Sequence, residues 1–280
     1  MSDDTARQQA PQGAPQGAGQ TAAGRWAGMM AGLKVYGQPG VLAVMFLGFS
    51  SGLPLALTGT TLSVWMTEAG VSLGSIGLFS LVGMPYTLKF LWAPLVDALD
   101  VPILSRLLGR RRGWLMATQL ALMAAIVFLG GQDPLSSPWH VALGALMVAT
   151  VSATQDIVVD AYRVERLEGS EQAAGMASYV AAYRVGMLVS GAGIIALVAY
   201  FEAVGLPERS VWFYGYVVAG ALMAVGILTT LFAREPAAPE RAKDVGAIAR
   251  VASTAVGAFS EFFAREQAVA ILLFVLPFKF

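Results

Sequence analysis

One helical stripe and one short loop hold most of the residues in this 280-residue chain that are equipped for chemistry. Ser152, Asp156, Asp160 and Arg163 follow one another at i, i+4, i+8 and i+11, with Gln155 beside them. That spacing puts the four on one face of a helix. Their surroundings, Trp139 to Val159, are otherwise apolar. Ionisable groups in such a run are costly and usually face a cavity or pair with one another. A carboxylate that burial makes expensive to ionise, and that a lysine steadies, can gain and lose a proton. Lys89 is the candidate partner, because it lies 8 residues before Asp97 while Asp156 lies 7 before Arg163. At helical rise the two sit about 12 Å and about 10 Å from the same membrane surface. Asp156 is therefore the leading proton carrier, with Asp160 one turn on as its backup. The competing reading is a ladder of purely structural ion pairs.

Other residues could meet a substrate. Arg184 lies 11 residues into the apolar run that starts at Ala173, which places it about 16 Å deep. A cation near the midplane either receives an anionic substrate group or neutralises Asp156. Tyr183 precedes Arg184, and Tyr86 precedes Lys89, a weak sign of internal repetition. Ser50, Ser51 and Thr58 flank Gly52 and Pro54, which loosen a helix and free its carbonyls; together they bind hydroxyls or mark a tolerated kink. Tyr86 and Trp92 either stack on a sugar face or sit at the membrane interface, the interface being the expected place. The loop is the second centre. Asp97 closes one apolar run, and Gly109-Arg110-Arg111-Arg112-Gly113-Trp114 opens the next. An acid facing a tight glycine turn and three arginines can clamp helices together and release them as a mouth opens. Topology alone would also explain the arginines.

The elements that must position these groups are membrane spans. Hydrophobic residues make up 56% of the chain and charged residues 13%, with mean hydropathy +0.65. Soluble domains carry about 25% charge. Eighteen basic and eighteen acidic residues cancel, which excludes a nucleic-acid binder. The absence of cysteine and the single His140 exclude disulfides, thiolate chemistry and histidine metal clusters; no metal or cofactor is implied. Crossing a bilayer takes roughly 20 apolar residues. Six runs qualify: Val41–Met66, Val71–Leu95, Gly113–Gln132, Trp139–Val159, Ala173–Phe201 and Val211–Ala233. A seventh, near Val269, is only half long enough by Phe280, so the chain reads as cut inside a helix. Fourteen basic residues fall on the side of the N-terminus and only Arg209 on the other. That asymmetry predicts a cytoplasmic N-terminus.

The expected fold is an all-α membrane protein, six transmembrane helices forming the N-terminal bundle of a major facilitator with a 3+3 inverted repeat, plus part of a seventh. Residues 1–36 form a disordered Gln/Ala/Pro/Gly tail, 37–233 the bundle, 234–267 a linker with an amphipathic helix, and 268–280 the start of helix seven. On span five, Ala174, Ser178, Ala182, Gly186 and Ser190 recur every four residues. Such a small stripe wants a partner helix, which the missing half of the polypeptide could supply.

Several segments carry a family resemblance. Phe49-Ser50-Ser51-Gly52-Leu53-Pro54-Leu55-Ala56-Leu57-Thr58 resembles the first-helix motif of the AmpG-type muropeptide permeases. Lys89-Phe90-Leu91-Trp92-Ala93-Pro94 through Asp97, and Gly109 through Trp114, are similar to theirs as well. So are Ala153-Thr154-Gln155-Asp156-Ile157-Val158-Val159-Asp160-Ala161 and Tyr183-Arg184-Val185-Gly186-Met187-Leu188-Val189-Ser190-Gly191. The resemblance implies a proton-driven importer of GlcNAc-1,6-anhydro-MurNAc peptides in a bacterial inner membrane, acting in cell-wall recycling. Its partners would be a sugar-peptide, protons, the lipid bilayer and a second half of the same polypeptide. Proton coupling would fall to Asp156, Asp160 and Lys89. Substrate binding would fall to Arg184, Gln155, Ser152, Ser50, Ser51, Thr58 and Tyr183, and the cytoplasmic gate to Asp97, Arg110, Arg111 and Arg112. The rivals are a facilitator for acyl-CoA or drugs and a non-transporting receptor or scaffold. An aspartyl protease would need acids from two facing helices rather than one, so no enzyme is expected.

Overall fold

Apolar runs of this length in a bilayer leave the backbone no partner but itself, so they must coil into helices. The computed structural model describes residues 32–237 and nine isolated positions between 251 and 270. Most of the predicted tail, most of the linker and the seventh helix lie outside the described residues. Among these, every regular element is helical. Five helices are long and apolar enough to cross a membrane: Pro39–Glu68, Arg110–Gly130, Pro138–Arg166, Gln172–Ala203 and Ser210–Phe232. They are spans one, three, four, five and six of a multi-pass membrane protein. Large apolar side chains such as Leu78, Trp139, Leu188 and Phe232 are exposed, as a lipid-facing surface requires.

Span two differs from the expected single helix. It runs as short pieces, Leu73–Phe79, Met84–Leu88 and Ala93–Ala98, joined by tighter turns at Ser80–Gly83 and Lys89–Leu91. The cause is local. Pro85 and Pro94 lack an N–H and each sits in the first turn of a new piece, where that missing donor costs nothing. Gly83 weakens the joint before the first of them.

Contacts between spans follow a regular scheme. Span one packs on five as span four packs on two; three packs on four as six packs on one; one meets four, and three meets six. Exchanging one for four, two for five and three for six maps these six pairings onto themselves, as a three-plus-three repeat would; the contact between five and six has no counterpart of similar extent between two and three.

Spans one and five make the closest approach. A Cβ on Gly52 would strike the Tyr183 carbonyl, one on Gly48 the Tyr179 carbonyl, and one on Gly186 the Phe49 carbonyl. The small stripe of span five therefore has a partner already, in span one, which corrects the expectation that it waits for a missing half. The same pair is bonded where both helices widen into π-turns, Leu57–Thr61 and Val189–Gly193. There Thr61 Oγ1 donates to the Ser190 carbonyl at 2.8 Å. Spans one and six are joined by a stack of Trp65 on Trp212 and Tyr216.

Gly52→Ala is expected to destabilise the bundle by about 1–3 kcal/mol, because a backbone carbonyl cannot rotate aside. Gly77→Ala is the control, since its methyl meets nothing within 4 Å. Thermal unfolding of the purified full-length protein should show a lowered Tm for the first and little change for the second. Equal Tm values would refute the close-packing argument.

Candidate functional site

Span four places Ser152, Gln155 and Asp156 on its buried face. Opposite them, the tight turn in span two presents Lys89, whose Nζ lies 4.0 Å from Asp156 Oδ2. The pair is asymmetric: the lysine side chain is 32% exposed and the aspartate 10%. Gln155 Nε2 donates to Ser51 Oγ of span one at 3.2 Å. The Tyr86 hydroxyl lies beside Ser152 and Thr58, and Tyr179 and Tyr183 of span five lie within electrostatic reach of Asp156. Four elements thus converge on one carboxylate.

Buried polar atoms are normally hydrogen-bonded. Here Tyr86 Oη, Ser152 Oγ, Gln155 Oε1 and Asp156 Oδ1 are all buried without a partner among the described residues. Each orphan costs roughly 1–3 kcal/mol. A cluster of them suits a place that takes in water or ligand hydroxyls. Two of the four are pure acceptors when Asp156 is ionised, so an arriving O–H, N–H or proton finds a use there.

Not every expected residue joins this cluster. Ser50 points the other way and donates to Met223 Sδ of span six at 3.8 Å; one helical step separates it from Ser51, and that step crosses the helix. Thr58 spends its hydroxyl on the Pro54 and Leu55 carbonyls at 3.1 and 3.4 Å, satisfying backbone near the proline. Arg184 is exposed on span five and makes no ion pair among the described residues. The counter-charge of Asp156 is Lys89 and not Arg184. Asp160 pairs instead with Arg163 at 3.6 Å. Tyr86 belongs to the buried cluster rather than to an interface, and Trp92 Nε1 donates to Thr154 Oγ1 at 3.1 Å.

The arginine loop forms a second network at one end of the bundle. Gly109 takes φ +95° to start span three, a conformation that favours glycine. Arg111 is buried and donates Nη1 to Asp97 Oδ1 at 2.7 Å and Nε to Glu165 Oε2 at 2.9 Å, with a further bond from Nη2 to Glu165 Oε1. Arg110 donates to the Asp97 carbonyl and to Glu165, both at 3.1 Å. Arg112 turns away from Asp97 and binds the Thr230 and Leu231 carbonyls at 2.8 and 2.7 Å. The arginines therefore divide: two hold spans two and four, one holds span six.

Two acids in this network went unrecognised in sequence. Glu165 sits in the last turn of span four, and the facing run of arginines was the available signal for it. Glu235 lies just past span six, and its carboxylate accepts the backbone N–H groups of Arg111 and Arg112 at 2.8 and 3.0 Å. It caps a helix that begins more than a hundred residues earlier, so no local spacing announces it.

These features have counterparts among known proteins. Residues 41–133 match the family described as acetyl-coenzyme A transporter 1. Over 249 residues, 88% of its length, the chain is 41% identical to the anhydromuropeptide permease of Escherichia coli strain K12, of which it covers 47%. The chain is a homologue of the AmpG-type permeases. A Rickettsia felis transporter named AmpG 4 is 30% identical over 88% of the chain and 58% of its own length. An uncharacterised Haemophilus influenzae protein is 37% identical over 86% and 53%. The chain spans about half the length of the curated AmpG-type relatives it matches.

Proposed function

We propose that the full-length protein is a proton-coupled permease of the inner membrane that imports GlcNAc-1,6-anhydro-MurNAc peptides, and that it catalyses no covalent reaction. The observation that carries this reading is the Lys89–Asp156 pair, set among unpartnered buried polar atoms in the middle of an apolar bundle. A carboxylate there is expensive to keep charged. Protonation releases Lys89, and loss of the proton restores the pair, so occupancy by a proton changes what span four holds. Resemblance to the E. coli anhydromuropeptide permease supports the substrate class.

In this scheme Ser51, Ser152, Gln155 and Tyr183 offer hydrogen bonds to sugar hydroxyls, with Thr58 lending its kinked backbone, and Arg184 receives a peptide carboxylate. Ser50 has no part in it. The Asp97–Arg110–Arg111 network, with Glu165, acts as the cytoplasmic gate, while Arg112 ties that gate to span six. The fourteen-to-one distribution of basic residues supports a cytoplasmic N-terminus. A second substrate class, acyl-CoA, is favoured by the acetyl-coenzyme A transporter match; it too is a large anion.

Vesicles bearing the full-length protein test both. Labelled anhydromuropeptide should enter under an inward proton gradient and stop entering when the gradient is collapsed. Gradient-independent entry would remove proton coupling, and uptake of acyl-CoA alone would replace the substrate.

A further inference from the structure

A cleft of about 540 Å³ runs between spans two and four. Its lining includes Lys89 and Asp160 as well as Asp97, Arg111 and Glu165; Asp156 is not among the lining residues and adjoins the cleft through its partner Lys89. It therefore reaches from the partner of Asp156 to the arginine network. Small residues, Ala93 on span two and Ala161 on span four, line its walls. None of Ser51, Gln155 and Tyr183 lines it; those groups lie toward spans one and five.

We propose that this cleft is the route by which the coupled proton leaves Asp156 for the arginine-rich end, separate from the path the substrate takes. The inference rests on the proton-coupled reading above. Asp156, Asp160 and Glu165 are 4 and 5 residues apart on one helix, which spaces them about 6 and about 7.5 Å along its axis. One or two waters bridge such gaps. The Asp156 carboxylic acid gives its proton to water in the cleft and becomes a carboxylate, which re-pairs with the Lys89 ammonium. The proton passes to the half-exposed Asp160 carboxylate and then to water beside Asp97 and Glu165; no other bond changes.

The charged and titratable groups around this route come from four elements. Span two supplies Tyr86, Lys89 and Asp97, span three Arg110 and Arg111, and span four Asp156, Asp160, Arg163 and Glu165. Span five supplies Tyr179 and Tyr183, within electrostatic reach of Asp156. Arg163 reaches Asp160 with Nη2, while its Nε is buried without a partner among the described residues.

The test plugs the cleft after folding. Ala161→Cys is introduced into the full-length protein in a background cleared of any other cysteine, reconstituted, and treated with a bulky water-soluble thiol reagent at the arginine-rich end. Two rates are read: proton-driven uptake of labelled anhydromuropeptide, and exchange of labelled for unlabelled substrate without a gradient. Exchange requires the loaded, protonated carrier to cross but never to discharge its proton. The reagent should cut driven uptake by at least about tenfold and leave exchange within about twofold. Equal loss of both rates, loss of neither, or an introduced thiol that the reagent cannot reach from water overturns the proposal. An untreated protein that exchanges substrate but shows no driven uptake overturns the proton-coupled reading itself, and this route with it.

Discussion

Asp156→Asn in the full-length protein is expected to abolish accumulation of substrate against a gradient when protons drive it, while exchange persists. The amide keeps the shape of the carboxyl group but can neither carry the proton nor hold the lysine charge. Removing one member of a buried pair strands the other at roughly 3–5 kcal/mol. The two single changes are not equivalent. Asp156→Asn strands a lysine that is 32% exposed and can reach water, whereas Lys89→Met strands an aspartate with 10% exposure. Lys89→Met should therefore fall at the upper end of that range and express worse. The double change removes both charges and should be better expressed than either single variant, yet stay uncoupled. Expression yield, Tm and accumulation ratio read all three. Asp156→Asn protein that still concentrates substrate would show that another group couples the proton.

Arg111→Ala is expected to have the second-largest effect. Its guanidinium bonds both Glu165 oxygens and Asp97, so one truncation removes most of the side-chain tie from span three to spans two and four and leaves Arg110 as the remaining link. Asp97 and Glu165 retain 38% and 22% exposure and recover some solvation, which puts the loss at roughly 2–4 kcal/mol, below that of a fully buried pair. Arg111→Lys should not rescue, because an ammonium cannot reproduce the planar fork that serves two carboxylates. Asp97→Ala leaves the Glu165 bonds in place and should slow turnover more mildly. In both variants the relative preference among muropeptides of different stem length should stay unchanged. A shift in preference at normal turnover would place this network in substrate selection rather than in gating.

Depth and apolarity were legible in sequence, but facing was not. Counting residues from the Asp97 and Arg163 ends put Lys89 level with Asp156, and the two lie 4.0 Å apart although the stretch from Lys89 to Asp97 is not one regular helix. Hydropathy, by contrast, averages over a window and ignores missing N–H groups, so span two read as one helix although Pro85 and Pro94 were in view. Ser50 and Ser51 read alike because adjacent residues share composition and depth; only packing against span six separates them. The partner of the span-five stripe was obscure for a similar reason. Gly48 and Gly52 of span one are small and four residues apart, but pairing two helix faces needs a crossing angle, which comes from the whole bundle. Glu165 and Glu235 show the remaining limit: an acid gains its role from which backbone or guanidinium folding brings to it.

The cap formed by Glu235 bears on how the chain can swing. Its carboxylate grips the first turn of span three, the Tyr162 hydroxyl donates to the Arg234 carbonyl at 3.1 Å, and Pro236 is buried behind them. Gly109 has room for this only because it lacks a Cβ, which would otherwise meet the Glu235 side chain. The segment leaving span six is thus riveted to the bundle for three more residues. Any torque that reaches Glu235 therefore arrives directly on the arginine network.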